Sequence, residues 1–152
     1  MTTASQAFTV LRGILESGMT IPLRWQNEDA DSQGSTTLPD TPAAFVYTEF
    51  NTDSAELVSY GGGRQRNTYR NRAHLDIYVF VPRGWGLTYA TDYAEQAAAL
   101  FRSYRDDDVS CFGASVYPGG DGAELQPPGM RSEVTNYYYA AASCELWYDQ
   151  IG

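Results

Sequence analysis

Between Asn71 and Pro82 the chain alternates without a break: Ala73, Leu75, Ile77, Val79 and Val81 fall on one parity, and Arg72, His74, Asp76, Tyr78 and Phe80 on the other. A period of two belongs to a strand with one dry face, and no helix produces it. The second face begins charged and ends aromatic, so the strand is expected to be central and to run from a solvated end into a covered one. Pro82 has no N–H to give to a ladder and closes it.

The remaining elements are read outward from this strand. Ala4, Ala7, Phe8, Leu11, Ile14 and Leu15 recur at helical spacing. They predict a first helix over residues 4–17, capped by Thr3 or Ser5 and ended by Gly18 in a left-handed conformation. Ile21, Leu23 and Trp25 alternate with Pro22 and Arg24, a short strand at a sheet edge or strand start. Residues 26–42 are polar and acidic without periodicity, which predicts a long surface loop. Two short strands follow, over 43–50 and 56–60. The triplet Gly61-Gly62-Gly63 supplies the positive φ of a tight turn, so residues 57–60 are expected to fold back on Tyr69 to Val81 as a hairpin. After a loop at 83–86, Tyr93, Ala97, Leu100 and Tyr104 share a stripe, with Ala94 and Phe101 beside it, in a second helix capped by Thr88 or Asp92. Its alanines, and Ala140 to Ala142 of the last strand, permit close packing. A strand over 109–117, a Gly- and Pro-rich loop over 118–133 and a closing strand over 134–148 complete the series. The sum is an α+β fold, a mostly antiparallel sheet with two helices on one face, in a single domain over 1–152.

Charge narrows the function classes. A net charge of −9 and a pI near 4.4 oppose sequence-independent grip on duplex DNA, which depends on cations neutralising phosphates. No apolar run approaches the roughly 20 residues of a membrane span, and no cationic signal pattern opens the chain. A soluble, untargeted protein without a membrane partner is expected. Cys111 and Cys144 are far apart and in no metal spacing, so a disulfide framework is not expected. All ten basic residues are arginine, which fits either a GC-rich genome or guanidiniums kept for bidentate carboxylate contacts. Twelve tyrosines suit surfaces half buried in partners.

Candidate chemistry is sparse. His74, the sole histidine, shares a face with Asp76 and can be imagined as a base for Cys144 or a serine, but no nucleophile motif accompanies it and a strand-surface histidine is the simpler reading. One His and two separated Cys do not make a zinc set. Asp106-Asp107-Asp108 lacks the alternating ligands and glycine of a calcium loop. Gly61-Gly62-Gly63-Arg64 is followed by a strand, where a phosphate loop needs a helix N-terminus. No catalytic residue, metal or cofactor is expected. Arg64, Arg66, Arg70 and Arg72 stand apart. If strand pairing runs unbroken from Arg64, these four even-numbered guanidiniums form one stripe on an acidic protein, a socket for a carboxylate-rich neighbour. A solvated hairpin face is the alternative.

The order of these elements resembles the tail terminator, or tail completion, proteins of long-tailed bacteriophages and gene transfer agents. The likeness lies in the amino-terminal helix, Ile21-Pro22-Leu23-Arg24-Trp25-Gln26-Asn27, the glycine-rich hairpin, Leu75 to Pro82 leading through Gly84 and Gly86, and the alanine-rich helix ending Leu100-Phe101-Arg102. It covers most of the chain and is one of order and type, without a diagnostic motif; the acidic stretch 26–42 departs from it. The resemblance implies a structural virion protein of the head-proximal tail end, assembled in the bacterial host cytoplasm. It implies a homohexameric ring that caps the tail tube, stops its growth and meets the head completion (neck) protein, while DNA passes through the lumen without sequence-specific contact. Its partners would be further copies of itself, the tail tube protein and the neck protein, with Arg64, Arg66, Arg70, Arg72, Tyr137 and Tyr139 as candidate interface residues. The alternatives are another neck, connector or minor tail protein acting as a monomeric adaptor, and a small hydrolase using His74.

Overall fold

The structure, a computed structural model, describes residues 2–59, 61–121 and 136–152. It is an α+β fold in the order α1 (Ala4–Gly18), β1 (Leu23–Arg24), β2 (Phe45–Ser59), β3 (Thr68–Pro82), α2 (Leu87–Phe101), β4 (Ser110–Asp121), β5 (Tyr137–Ile151). The five strands form one sheet in the order β1-β2-β3-β5-β4, antiparallel except where β1 joins β2. β3 is the middle strand, as its alternation predicts. Ala73, Leu75, Ile77, Val79 and Val81 are all buried, facing the helices with Val46, Ala140, Ala142, Cys144 and Leu146.

α1 opens on a reciprocal cap: the Gln6 N–H donates to Thr3 Oγ1 at 3.2 Å and the Thr3 N–H to Gln6 Oε1 at 2.8 Å. Two orphan helix donors are thereby satisfied. Gly18 does not end the helix in the left-handed region. It is the last helical residue, and a Cβ there would stand 2.5 Å from the Leu100 methyls of α2. Its role is close approach between helices, a reason for glycine that local sequence does not distinguish from a cap. α2 begins at Leu87, after Gly86 at φ 95° and without a side-chain cap, so Thr88 and Asp92 lie inside the helix. Its buried stripe is Ala90, Ala94, Ala97, Ala98 and Phe101, while Tyr93 and Leu100 flank it and Tyr104 lies beyond its end. Alanine on both sides lets the helix lie close on β5.

Two strands are longer than expected and a third ends later. The strands expected over 43–50 and 56–60 are parts of one strand, β2 (Phe45–Ser59), which crosses the polar stretch Asn51–Ser54 by a bulge at Asp53, residue 60 lying outside the described residues. β4 continues through Pro118 to Asp121 with an irregularity between Pro118 and Asp121, and β5 reaches Ile151. The acidic stretch 26–42 is loop and turn, as expected. Residues 122–133 of the expected Gly/Pro loop, and the expected start of the closing strand at Val134, lie outside the described residues.

Gly119 sits in that irregularity of β4, where a Cβ would overlap the Tyr139 ring and its carbonyl oxygen. Gly119→Ala is expected to destabilise the fold by about 1–3 kcal/mol, read as a lowered Tm. Gly113→Ala, whose nearest neighbour would be the Glu145 carboxylate at 3.7 Å, is expected to melt close to wild type.

Candidate functional site

The most distinctive surface is the distal half of the β2–β3 hairpin. β1 covers β2 only at Val46 and Tyr47, and every residue from Asn51 to Ser59 is exposed. This half therefore forms an arm. Its tip turns through Gly61 at φ 122°, Gly63 at φ 81° and Gln65 at φ 68°, closed by the Arg66 N–H on the Gly63 carbonyl at 3.1 Å. Leu57 and Val58 remain 44% and 47% exposed on the arm.

The four arginines divide into two pairs. β3 starts at Thr68, so Arg64 and Arg66 belong to the turn and the unbroken ladder needed for one stripe does not exist. Both are exposed, and neither has an acidic partner among the described residues. Arg70 and Arg72 are in the ladder and already engaged. Arg70 donates through Nε and Nη2 to both oxygens of Asp149 at 2.9 Å, lies 4.9 Å over the Trp147 ring, and holds the Asp149 carboxyl below its usual pKa. Arg72 stands 4.0 Å from Glu56. Of these four arginines, the two at the tip are the ones without an acidic partner among the described residues.

The helix-free face of the sheet carries a second, smaller cluster: Phe45, Tyr47, Phe80 and Tyr137, with Leu38, Tyr78 and Tyr139 packed against it. Phe45 stacks on Phe80 at 4.8 Å, and Tyr137 meets Phe45 edge-on at 5.2 Å. Tyr137 is 2% exposed, so its ring serves packing within the chain and is not presented to a partner. Tyr139 is half-buried beside Phe80. Burial pushes the Tyr47 hydroxyl up to about 12, helped by Glu49, and pushes Tyr78 up as well. Leu38 shows that the acidic loop leaves one apolar side chain on this face, a contact that its composition conceals.

Towards the arm the same face turns acidic. Glu49 lies opposite Asp76 and Glu145 opposite His74. His74 is clamped between Asp53, 2.8 Å from Nδ1, and Asp76, 3.3 Å from Nε2. The Asp53 hydrogen bond raises its pKa against the opposing effect of burial, and Asp76, Asp53 and Glu145 add to the rise. The bulge delivers Asp53 to this position, which is why sequence spacing pointed only to Asp76. Cys144 belongs to the helix-covered core, on the opposite side of the sheet, so the imagined His74–Cys144 pair is not brought together. Burial pushes the thiols of Cys111 and Cys144 up to about 11 and 12. Among the described residues no three His, Cys, Asp or Glu side chains group for a metal ion, and no helix is long and apolar enough to cross a membrane.

The His74 clamp has a pH signature. A pKa raised in the folded state gives stabilisation that is fully present below the unfolded value of about 6.5 and is lost as pH rises through the folded value. The melting temperature is expected to fall across that interval in the wild type, and this part of the slope is expected to vanish in His74→Asn. Compared with known proteins, the chain matches no protein-family model and no curated protein sequence.

Proposed function

We propose that this protein is a tail terminator: a subunit of a homohexameric ring that caps the tail tube of a long-tailed phage or related particle, stops its growth and offers the neck a joining surface. The observation that carries the reading is the projecting arm. A strand edge exposed along nine residues, with two guanidiniums at its tip that have no acidic partner among the described residues, on a chain of net charge −9, is built for contact with another acidic surface. The resemblance in order and type of elements, from the first helix through Pro82 to Phe101, supports the same reading.

A ring needs heterologous contacts that close, so each subunit must offer two different patches. The cationic tip and the acidic remainder of the chain are such a pair. Six copies would multiply the negative charge, and a lumen of that sign repels DNA and lets it pass without adhesion.

Native mass spectrometry of the purified chain mixed with its tail tube protein is expected to give a hexamer; a species that stays monomeric or dimeric on the tube overturns the ring, and a monomer bound to the tube would make the protein an adaptor. Deletion of the gene is expected to leave tails of uncontrolled length without heads in micrographs of lysates. Normal tails joined to heads would refute the terminator role.

A further inference from the structure

The sheet has two open edges, and their polarity and chemistry match. On one side is the arm of β2, where no backbone partner lies along Asn51–Ser59 among the described residues. On the other is β4. The Cys111 N–H donates to the Tyr104 carbonyl at 2.8 Å and Arg105 bridges Ser110, so this edge is covered as far as Cys111. From Phe112 to Tyr117 it is open among the described residues, and Pro118, which has no N–H, interrupts its row of donors. β2 and β4 are each antiparallel to a neighbour, β3 and β5, that are antiparallel to one another. β2 and β4 therefore run in opposite directions, and a second copy placed beside the first in the same orientation would set its β4 antiparallel to the arm.

We propose that the arm of one copy docks along the β4 edge of a second copy, adding its strand to that sheet and bringing Arg64 and Arg66 to the turn Asp106–Asp108. Two features fix this occupant. Setting Leu57 and Val58 level with Phe112 places exposed apolar side chains together, 44%, 47% and 47% exposed in the single chain. From there the arm runs about four residues to its tip, and the β4 segment runs back four residues from Phe112 to Asp108. Both distances are about 13 Å at roughly 3.3 Å per residue. The tip guanidiniums thus arrive where the acidic turn begins. At Asp106 burial pushes the carboxyl pKa up, but the Val109 N–H, the Tyr104 hydroxyl and the Asp108 N–H together outweigh it and lower the pKa, favouring the charged form. Asp108 accepts from the Thr2 hydroxyl at 2.8 Å, while Asp107 is exposed with no partner among the described residues. Arg105 and Arg70 are like charges beside the turn, Arg70 being held by Asp149. Main-chain pairing supplies affinity in such strand addition and the charges supply register. The contact is heterologous, since each copy gives one arm and receives one.

This docking rests on the ring reading, and the experiment separates the two. Assembly is followed by native mass spectrometry and sedimentation, alone at high concentration and with the tail tube protein. Arg64→Glu with Arg66→Glu is expected to raise the concentration needed for assembly at least tenfold, with unchanged circular dichroism and melting. Asp107→Arg is expected to weaken assembly similarly, and Arg66→Glu combined with Asp107→Arg to recover it. In the wild type, amides of Asn51–Ser59 and of Phe112–Tyr117 are expected to become protected from hydrogen exchange together on assembly, a readout independent of any variant. A ring that forms with unprotected Asn51–Ser59 amides and no response to charge reversal overturns the docking and leaves the ring standing. A wild-type chain that stays monomeric under both conditions overturns both.

Discussion

The fold depends on one strand being paired on both sides along nearly its whole length. β3 pairs with β2 from Phe80 down to Thr68 and with β5 from Pro82 down to Thr68, so its alternation is imposed on both neighbours. Once Leu75, Ile77 and Val79 face the helices, Val46 on one side and Ala140, Ala142 and Cys144 on the other must face them too, because directly opposed residues share a face. A one-residue slip would turn all of them out together. The helices then only cover what the register has made dry.

The two ends of the sheet use this register differently. At the Pro82 end both faces are covered, one by the helices and the other by the Phe45, Phe80 and Tyr137 cluster beneath Leu38. At the Thr68 end the ladder continues while the apolar cover stops. Backbone hydrogen bonds, the Arg70–Asp149 fork and Trp147 under the Arg70 guanidinium hold the strands there. Charge-assisted, geometrically fixed contacts of this kind stabilise an exposed hairpin better than single surface ion pairs, which contribute roughly 0–1 kcal/mol.

What the sequence made legible follows from this division. Strict alternation in β3, helical spacing in α1 and the glycine triplet at the hairpin are local patterns, and each led to the right element. The continuity of β2 was hidden because Asn51–Ser54 is polar and carries a bulge, and its strand state is imposed by pairing with β3 rather than by propensity. Gly18 owes its role to Leu100 of the other helix, a relation invisible in its own segment. At the candidate site, the cationic character of the hairpin was readable, but its division into Arg70 and Arg72, which have acidic partners, and Arg64 and Arg66, which have none among the described residues, depends on where β3 begins. Tyr137 looked like a contact residue because aromatic composition does not say which face is roofed.

The arm also has a mechanical meaning. Its strands are continuous with β2 and β3, so a pull applied at the tip along the strand direction runs straight into the middle of the sheet. The load falls on ladders flanking β3 on both sides, and many hydrogen bonds lying across the line of force share it in shear. A hairpin attached at its base by a flexible loop would instead swing and peel open one bond at a time. Whatever holds this tip is therefore coupled stiffly to the core of the chain.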